Sequence, residues 1–213
     1  MLELELKERA VLFWDFDGVI KESVEVKTRA YVSLFERFGT AVTERVRAHH
    51  EANGGLSRFE KIPLYLQWSG QKATTEEVAR YCATFAAAVR QAVIDAPWVL
   101  GAREYLLANA ARQRFVLLTA TPQREIEDIL NATAISRCFC EVYGAPTPKA
   151  QAIASVLARL HCQAARALVI GDSQSDYAAA RSAGVDFLLR QTPLNLLLQR
   201  TYAGLQCENF LNE

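Results

Sequence analysis

Four short stretches of the chain are apolar with little or no interruption: Ala10–Trp14, Phe115–Leu118, Ala167–Ile170 and Val185–Leu189, the last broken only by Asp186. A strand with one wet face alternates polar and apolar residues. An unbroken run of this length instead suits a strand buried on both faces, as in a parallel sheet. Between the runs, Ala102–Arg112, Arg124–Leu130, Ala150–Leu160 and Tyr177–Ala183 carry helical periodicity, and Phe139–Tyr143 is a weaker strand candidate. The alternation predicts a three-layer α/β fold around a parallel sheet with right-handed crossovers. Thr121-Pro122 and Thr147-Pro148 each read as an N-cap followed by proline at the first helical position, and Gly184 as a left-handed C-cap.

The segment 22–96 follows another pattern. It lacks a strand signal and reads as helices over roughly Ser23–Phe38, Glu44–Ala52, Arg58–Gln67 and Glu76–Ile94, with Asn53-Gly54-Gly55 as an intervening loop. Pro97 and Gly101 mark the return to the α/β pattern. The expected division is therefore a core of residues 1–21 and 97–213, with an all-helical insertion, 22–96, directly after the first strand. An insertion at that place is what a lid over a site would look like.

Composition narrows the partners. With 51% hydrophobic and 23% charged residues the chain is of ordinary globular composition, which excludes disorder as its main state. Lys plus Arg and Asp plus Glu are both 24, so no bulk charge draws the protein to nucleic acid or an anionic membrane, and neither is expected as a partner. No apolar run approaches the ~18 residues of a membrane span. Met1 to Arg9 alternates Leu with Glu and Lys and does not read as a signal peptide. Five cysteines, an odd number in a chain long enough to build a core without staples, suit a reduced cytoplasmic protein. Cys138-x-Cys140 lacks a second ligand pair, which argues against zinc. A monomer or a homodimer is expected.

Three of the strand runs end in polar groups: Asp15-Phe16-Asp17-Gly18 after the first, Thr119-Ala120-Thr121 after the second, and Gly171-Asp172-Ser173, with Asp176 beyond, after a third. In a parallel sheet these carboxyl ends share one edge, where ligands bind. Asp15, Asp17, Asp172 and Asp176 would then meet in one cleft. Gathered carboxylates take up protons unless a cation sits among them, and hard oxygen ligands suit Mg²⁺. One carboxylate could attack phosphorus while another handles a proton. Lys149 is placed at the start of a helix, where the macrodipole disfavours a cation, unless its ammonium reaches into an acidic cleft and holds a phosphoryl oxygen. Thr119 offers a hydroxyl to the same group, and backbone N–H groups of the following turn, at Ala120, could help.

These residues, in the order Asp15-Phe16-Asp17-Gly18-Val19, Thr119, Lys149 and Gly171-Asp172-Ser173-Gln174-Ser175-Asp176, resemble the four motifs of the haloacid dehalogenase superfamily, in its helical-cap phosphatase branch. The resemblance spans nearly the whole chain and implies a Rossmann-like core with an inserted helical cap. It implies Asp15 as nucleophile and Asp17 as acid and base. Mg²⁺ would be held by Asp15, Asp172 and the backbone carbonyl of Asp17. Asp176 would bind a metal-bound water or orient its motif, and Thr119, Ala120 and Lys149 would grip the phosphoryl group. Ser173-x-x-Asp176 is equally a capping box, so Asp176 can do both jobs.

Gly54-Gly55-Leu56-Ser57-Arg58 resembles the specificity loop of helical-cap relatives, in which an arginine at the place of Arg58 meets a distal anion; Lys61 lies one turn on and can share that face. The substrate implied is a small phosphorylated metabolite. A phosphomutase of the same build stays open, although Gly171 stands where helical-cap mutases commonly carry Glu. A dehalogenase fits the acidic set less well. A phosphonatase would need a cap lysine such as Lys61 or Lys72. A non-catalytic binding module would have no need of the intact acidic pair.

Overall fold

The structure, a computed structural model, describes residues 2–211; Met1, which opens the N-terminal stretch, lies outside the described residues. Six parallel strands form one sheet: β1 (Val11–Trp14), β2 (Arg114–Pro122), β3 (Phe139–Ala145), β4 (Ala167–Gly171), β5 (Asp186–Arg190) and β6 (Leu205–Cys207). They lie in the order β3-β2-β1-β4-β5-β6, so β1 is central and the chain winds outward from it in both directions. All four residues of β1 are buried, as its unbroken apolar run requires. The pleat sends alternate residues to opposite faces. Leu12 and Trp14 join one hydrophobic cluster, and Val11 and Phe13 join the other.

Each cluster is roofed by helices. On one face lie α6 (Ala102–Asn109), through Tyr105 and Leu106, and α7 (Gln123–Ala132), through Ile126, Ile129 and Leu130. On the other lie α8 (Lys149–Arg159), through Ile153 and Val156, α9 (Gln174–Ala183), through Ala179 and Ala180, and α10 (Leu196–Thr201), through Leu198. The fold is the three-layer α/β sandwich that the sequence pattern predicts, with the Rossmann-like build that the resemblance implies.

Between β1 and β2 the chain makes four helices: α2 (Val24–Phe35), α3 (Thr40–Ala52), α4 (Arg58–Trp68) and α5 (Thr75–Asp95). A single 3₁₀ turn, Glu36–Phe38, follows α2, and Gly39 at φ +91° reverses the chain, so the predicted Ser23–Phe38 helix is two pieces and α3 starts earlier than expected. Their interior is aromatic: Tyr31, Phe35, Tyr65, Tyr81 and Phe85 are all buried, with Tyr31 stacked on Phe85. The two crossings between this insertion and the sheet run side by side. Glu22 N donates to Pro97 O (2.8 Å) and Val99 N to Ile20 O (3.0 Å), which brings the outgoing and returning segments into register.

Two boundary expectations are corrected. β2 continues through Pro122, and α7 begins at Gln123 with Pro122 itself at the cap position, in extended backbone at ψ 144°. Pro148 likewise precedes α8 at ψ 134°. Thr121 and Thr147 therefore cap nothing; the Thr121 hydroxyl is instead turned toward Lys27 and Asp17. Two elements carry too weak a pattern to be foreseen, β6 and α10. A third, α1 (Leu2–Lys7), hides beneath a period-two alternation that does not look helical. Gly184 does adopt the left-handed C-cap, at φ +66°. No described helix is long and apolar enough to cross a membrane.

Candidate active site

The carboxyl ends of β1 and β4 are locked together by the sheet. Asp15 N donates to Ile170 O (2.9 Å), extending the ladder by one residue and setting Asp15 beside the Gly171-Asp172 turn. Gly18 then turns the chain at φ +76°. A Cβ there would stand 2.2 Å from Asp172 Oδ2, so glycine is needed both for the turn and to admit that carboxylate. Gly171 makes the same kind of room: a Cβ on it would lie 2.3 Å from that of Asp176. Asn195 Nδ2 fixes the loop by donating to the carbonyls of Asp172 (2.7 Å) and Arg190 (2.8 Å).

Asp15, Asp172 and Asp176 each offer a carboxylate oxygen within 4.8 Å of the others. Asp176 is saturated. Its Oδ2 accepts from Ser173 N (3.1 Å) and Ser173 Oγ (2.5 Å), the capping box of α9, and its Oδ1 accepts from Lys149 Nζ (2.5 Å). Lys149, first residue of α8, also donates to Asp15 Oδ1 (2.8 Å). Asp172 differs: among the described residues no donor or cation bonds its side chain. Burial pushes Asp15 up to about 7, against the pull of Lys149 and with Asp176 and Asp17 adding to the rise. Burial and the neighbouring Asp15 and Asp176 raise Asp172 well above the carboxylate range. Lys149, despite burial, is held firmly charged by Asp15 and Asp176. One lysine thus serves three crowded carboxylates. The donor set is all hard oxygen, short of positive charge and with Asp172 unengaged, which fits a divalent cation such as Mg²⁺.

Asp17 lies apart from that cluster. Ser23 Oγ donates to its Oδ1 (2.6 Å), Lys27 bonds its Oδ2, and Thr121 Oγ1 lies 3.4 Å from the same oxygen. Lys27 also donates to Thr121 Oγ1 (2.8 Å). Burial pushes the Asp17 carboxyl up, but Lys27 and Ser23 more than offset it, and the group is held below the ordinary range. Lys27 is absent from the sequence expectations, and Thr121 enters them only as a strand-end residue and a helix cap, not as a partner of Asp17. Ser23 and Lys27 sit one helical turn apart at the start of α2, which is the one pattern that could have pointed to them.

The insertion closes over this edge of the sheet. A cavity of about 40 Å³, room for only a few waters, is lined by Asp15, Asp17, Lys27, Arg58, Lys61 and Lys149, among others. The Asn53–Leu56 loop packs directly on the β4 side. A Cβ on Gly55 would lie 1.7 Å from Ser175 Oγ, so this contact needs glycine. Arg58 and Lys61, both expected at the substrate, do reach the cavity, but neither is free in it. Arg58 forms a two-bond ion pair with Glu125 of α7, Nη1 to Oε2 at 2.8 Å and Nη2 to Oε1 at 2.5 Å. Lys61 Nζ bonds His50 Nδ1 (2.9 Å) and the Gly54 carbonyl (3.4 Å). Thr119 is buried, accepts from Thr121 N (3.1 Å), and lines a neighbouring groove of about 320 Å³ rather than the Asp15 cavity; Ala120 and Lys149 border both.

A parallel sheet whose carboxyl edge gathers four aspartates and a lysine beneath an all-helical insertion is the architecture of a capped α/β hydrolase. The chain belongs to the haloacid dehalogenase-like hydrolase family, whose model matches residues 11–189. Among curated proteins it is similar to a phosphorylated carbohydrates phosphatase of Thermotoga maritima, 27% identical over 185 residues that cover 83% of this chain and 82% of the relative. It is similar too to a phosphoglycolate phosphatase of Colwellia psychrerythraea, 26% identical over 191 residues, 86% of this chain and 84% of that one. Among solved structures, CbbY of Rhodobacter sphaeroides, in complex with xylulose-(1,5)bisphosphate, superposes with a TM-score of 0.75 over 95% of both chains at 16% identity, a likeness of fold.

Proposed function

We propose that this protein is a Mg²⁺-dependent phosphatase that hydrolyses a small phosphorylated metabolite through an aspartyl-phosphate on Asp15, with residues 22–96 as its cap. The observation that carries the reading is the arrangement at the end of β1. Asp15 is aimed by Lys149 beside an unengaged Asp172, while Asp17 is held separately by Lys27 and Ser23.

Asp15, Asp172 and the Asp17 carbonyl would hold the cation, with Asp176 ordering the loop and fixing Lys149. When bound, Mg²⁺ supplies positive charge against the carboxylates and the phosphoryl oxygens. An Asp15 carboxylate oxygen attacks phosphorus, the ester P–O bond breaks, and Asp17, protonated for this step, gives its proton to the departing oxygen. Asp17 then takes a proton from a water that attacks the phosphoryl-enzyme, releasing phosphate and Asp15. Lys27 and Ser23 favour the ionised form of Asp17 that this second step needs. Lys149 stabilises charge on the phosphoryl oxygens, helped by the Ala120 backbone; Thr119, through its bond to Thr121 N, shapes the turn carrying these groups.

The mutase alternative loses ground on Gly171. With Asp176 packed where a side chain at 171 would begin, a glutamate before Asp172 does not fit this loop. Five cysteines left as thiols support a cytoplasmic setting. The test is phosphate release from p-nitrophenyl phosphate and a panel of phosphorylated metabolites. Turnover should require Mg²⁺ and vanish in Asp15→Asn. Silence across the panel would reject the reading in favour of a binding module.

A further inference from the structure

Four cationic side chains reach the cavity: Lys27, Arg58, Lys61 and Lys149. Three of them have carboxylate partners. Lys149 holds Asp15 and Asp176, Lys27 holds Asp17, and Arg58 holds Glu125. Lys61 does not. It is 1% exposed, yet among the described residues only His50 Nδ1 and the Gly54 carbonyl bond its ammonium. Burial and the nearby Lys61 and Lys27 charges push His50 far below the usual histidine range, so the ring is neutral and offers no compensating charge. As Nδ1 accepts from Lys61, the ring proton sits on Nε2, which is buried without a hydrogen-bond partner. Lys61 is therefore a buried amine held in place by neutral groups alone. Burial and Lys27 drive it down to about 7, with Asp17 and Glu60 pulling the other way. An ammonium in that position is costly until an anion arrives.

Arg58 is the reverse case. It stands where the family resemblance puts the ligand of a distal anion, but Glu125 already presents a carboxylate to its guanidinium in a two-bond fork. A substrate anion would have to displace a buried, bidentate partner.

We propose that Lys61, and not Arg58, receives a second anionic group of the substrate, so that the enzyme selects short phosphate monoesters whose alcohol carries a carboxylate or comparable anion, while Glu125 keeps Arg58 out of substrate binding. The inference rests on the phosphatase reading above and names the substrate class for that same site. Asp15 and Lys61 line the same cavity, so an alcohol that spans from the Asp15 end to Lys61 is a short one.

The experiment is calorimetric binding of 2-phosphoglycolate and of ethyl phosphate to the full chain carrying Asp15→Asn, in Mg²⁺. The ratio of the two affinities is the readout, so a general weakening divides out. The expected preference for 2-phosphoglycolate is tenfold or more. It should fall to about twofold or less when Lys61→Met is added, and persist when Glu125→Gln is added instead. Met matches the length of Lys without its buried charge; if that variant does not fold, Lys61→Gln provides the same ratio. A preference that survives loss of the Lys61 charge, equal binding of the two esters, or no binding of either would overturn the assignment. Phosphate release from the same esters by protein with Asp15 intact separates the two conclusions. Binding preference without release would sink the hydrolase reading and leave Lys61 standing, whereas release without preference would do the opposite.

Discussion

Replacing Glu125 by glutamine asks how firmly the helical insertion is fastened to the core. Arg58 comes from α4 of the insertion and Glu125 from α7 of the core, and their side chains are only 4% and 10% exposed. The guanidinium also lies over the Phe85 ring, 4.7 Å from its centroid. Glutamine keeps the shape of Glu125 but leaves a buried guanidinium without its counter-charge. Losing one partner of a buried pair costs about 3–5 kcal/mol. Neither side chain is completely sealed from water, so the expected loss lies near the lower end, about 3 kcal/mol. At about 1.4 kcal/mol per tenfold, that is a shift of roughly a hundredfold toward open forms. Urea denaturation of five proteins measures it: the parent, Glu125→Gln, Glu125→Leu, Arg58→Met and the double variant Arg58→Met with Glu125→Leu. Each single variant should lose about 3 kcal/mol and the double only about 1 kcal/mol, because removing both charges leaves no orphan, which gives a coupling of about 5 kcal/mol. Glu125→Gln should also speed amide exchange in the Asn53–Leu56 loop, which the closed insertion presses onto Ser175. Additive losses, or a Glu125→Gln loss under about 0.5 kcal/mol as at an exposed pair, would refute the idea of a latch.

Gly18→Ala should lower Mg²⁺-dependent turnover at least tenfold on an order-of-magnitude view, since its Cβ would collide with Asp172 Oδ2 and the positive φ adds about 1–2 kcal/mol of strain; a stable, fully active variant would contradict this. Lys27→Met removes the charge that keeps Asp17 below the ordinary range, so the carboxylate form should appear only at higher pH. The acid limb of the rate profile should then move upward, and an unmoved limb would show that Lys27 does not set this titration. In metal-free protein, Asp15 at about 7 and the raised Asp172 mean that the folded state binds more protons than the unfolded state from roughly pH 4 to 7. Stability should therefore fall as pH rises through that window, and Mg²⁺ should remove most of the decline. Thermal midpoints with chelator and with Mg²⁺ check this, and a flat metal-free profile would count against an uncompensated acidic cluster.

The strands β1, β2, β4 and β5 could be read from the chain because a strand buried on both faces must be apolar throughout, a property of adjacent residues. Gly184 and the Ser173-x-x-Asp176 box were legible for the same reason: cap chemistry spans only a few positions. Placing Asp15 beside Asp172 needed one further step, that parallel strands end on a common edge. The three-residue β6 and the short α10 lacked enough residues to build a period, and the prolines at 122 and 148 fit equally well just outside a helix or at its first position.

What the amino-acid order determined alone is the layered core and the identity of the acidic residues at its strand ends, because periodicity and local turn chemistry act over one or two turns of chain. Tertiary structure decided the charge partnerships: Lys27 with Asp17, Arg58 with Glu125 across 67 positions, and Lys61 with a neutral histidine. Coulombic and hydrogen-bond choices of that kind depend on distance and burial after folding, and no short-range pattern records which of several cations will be left without an anion.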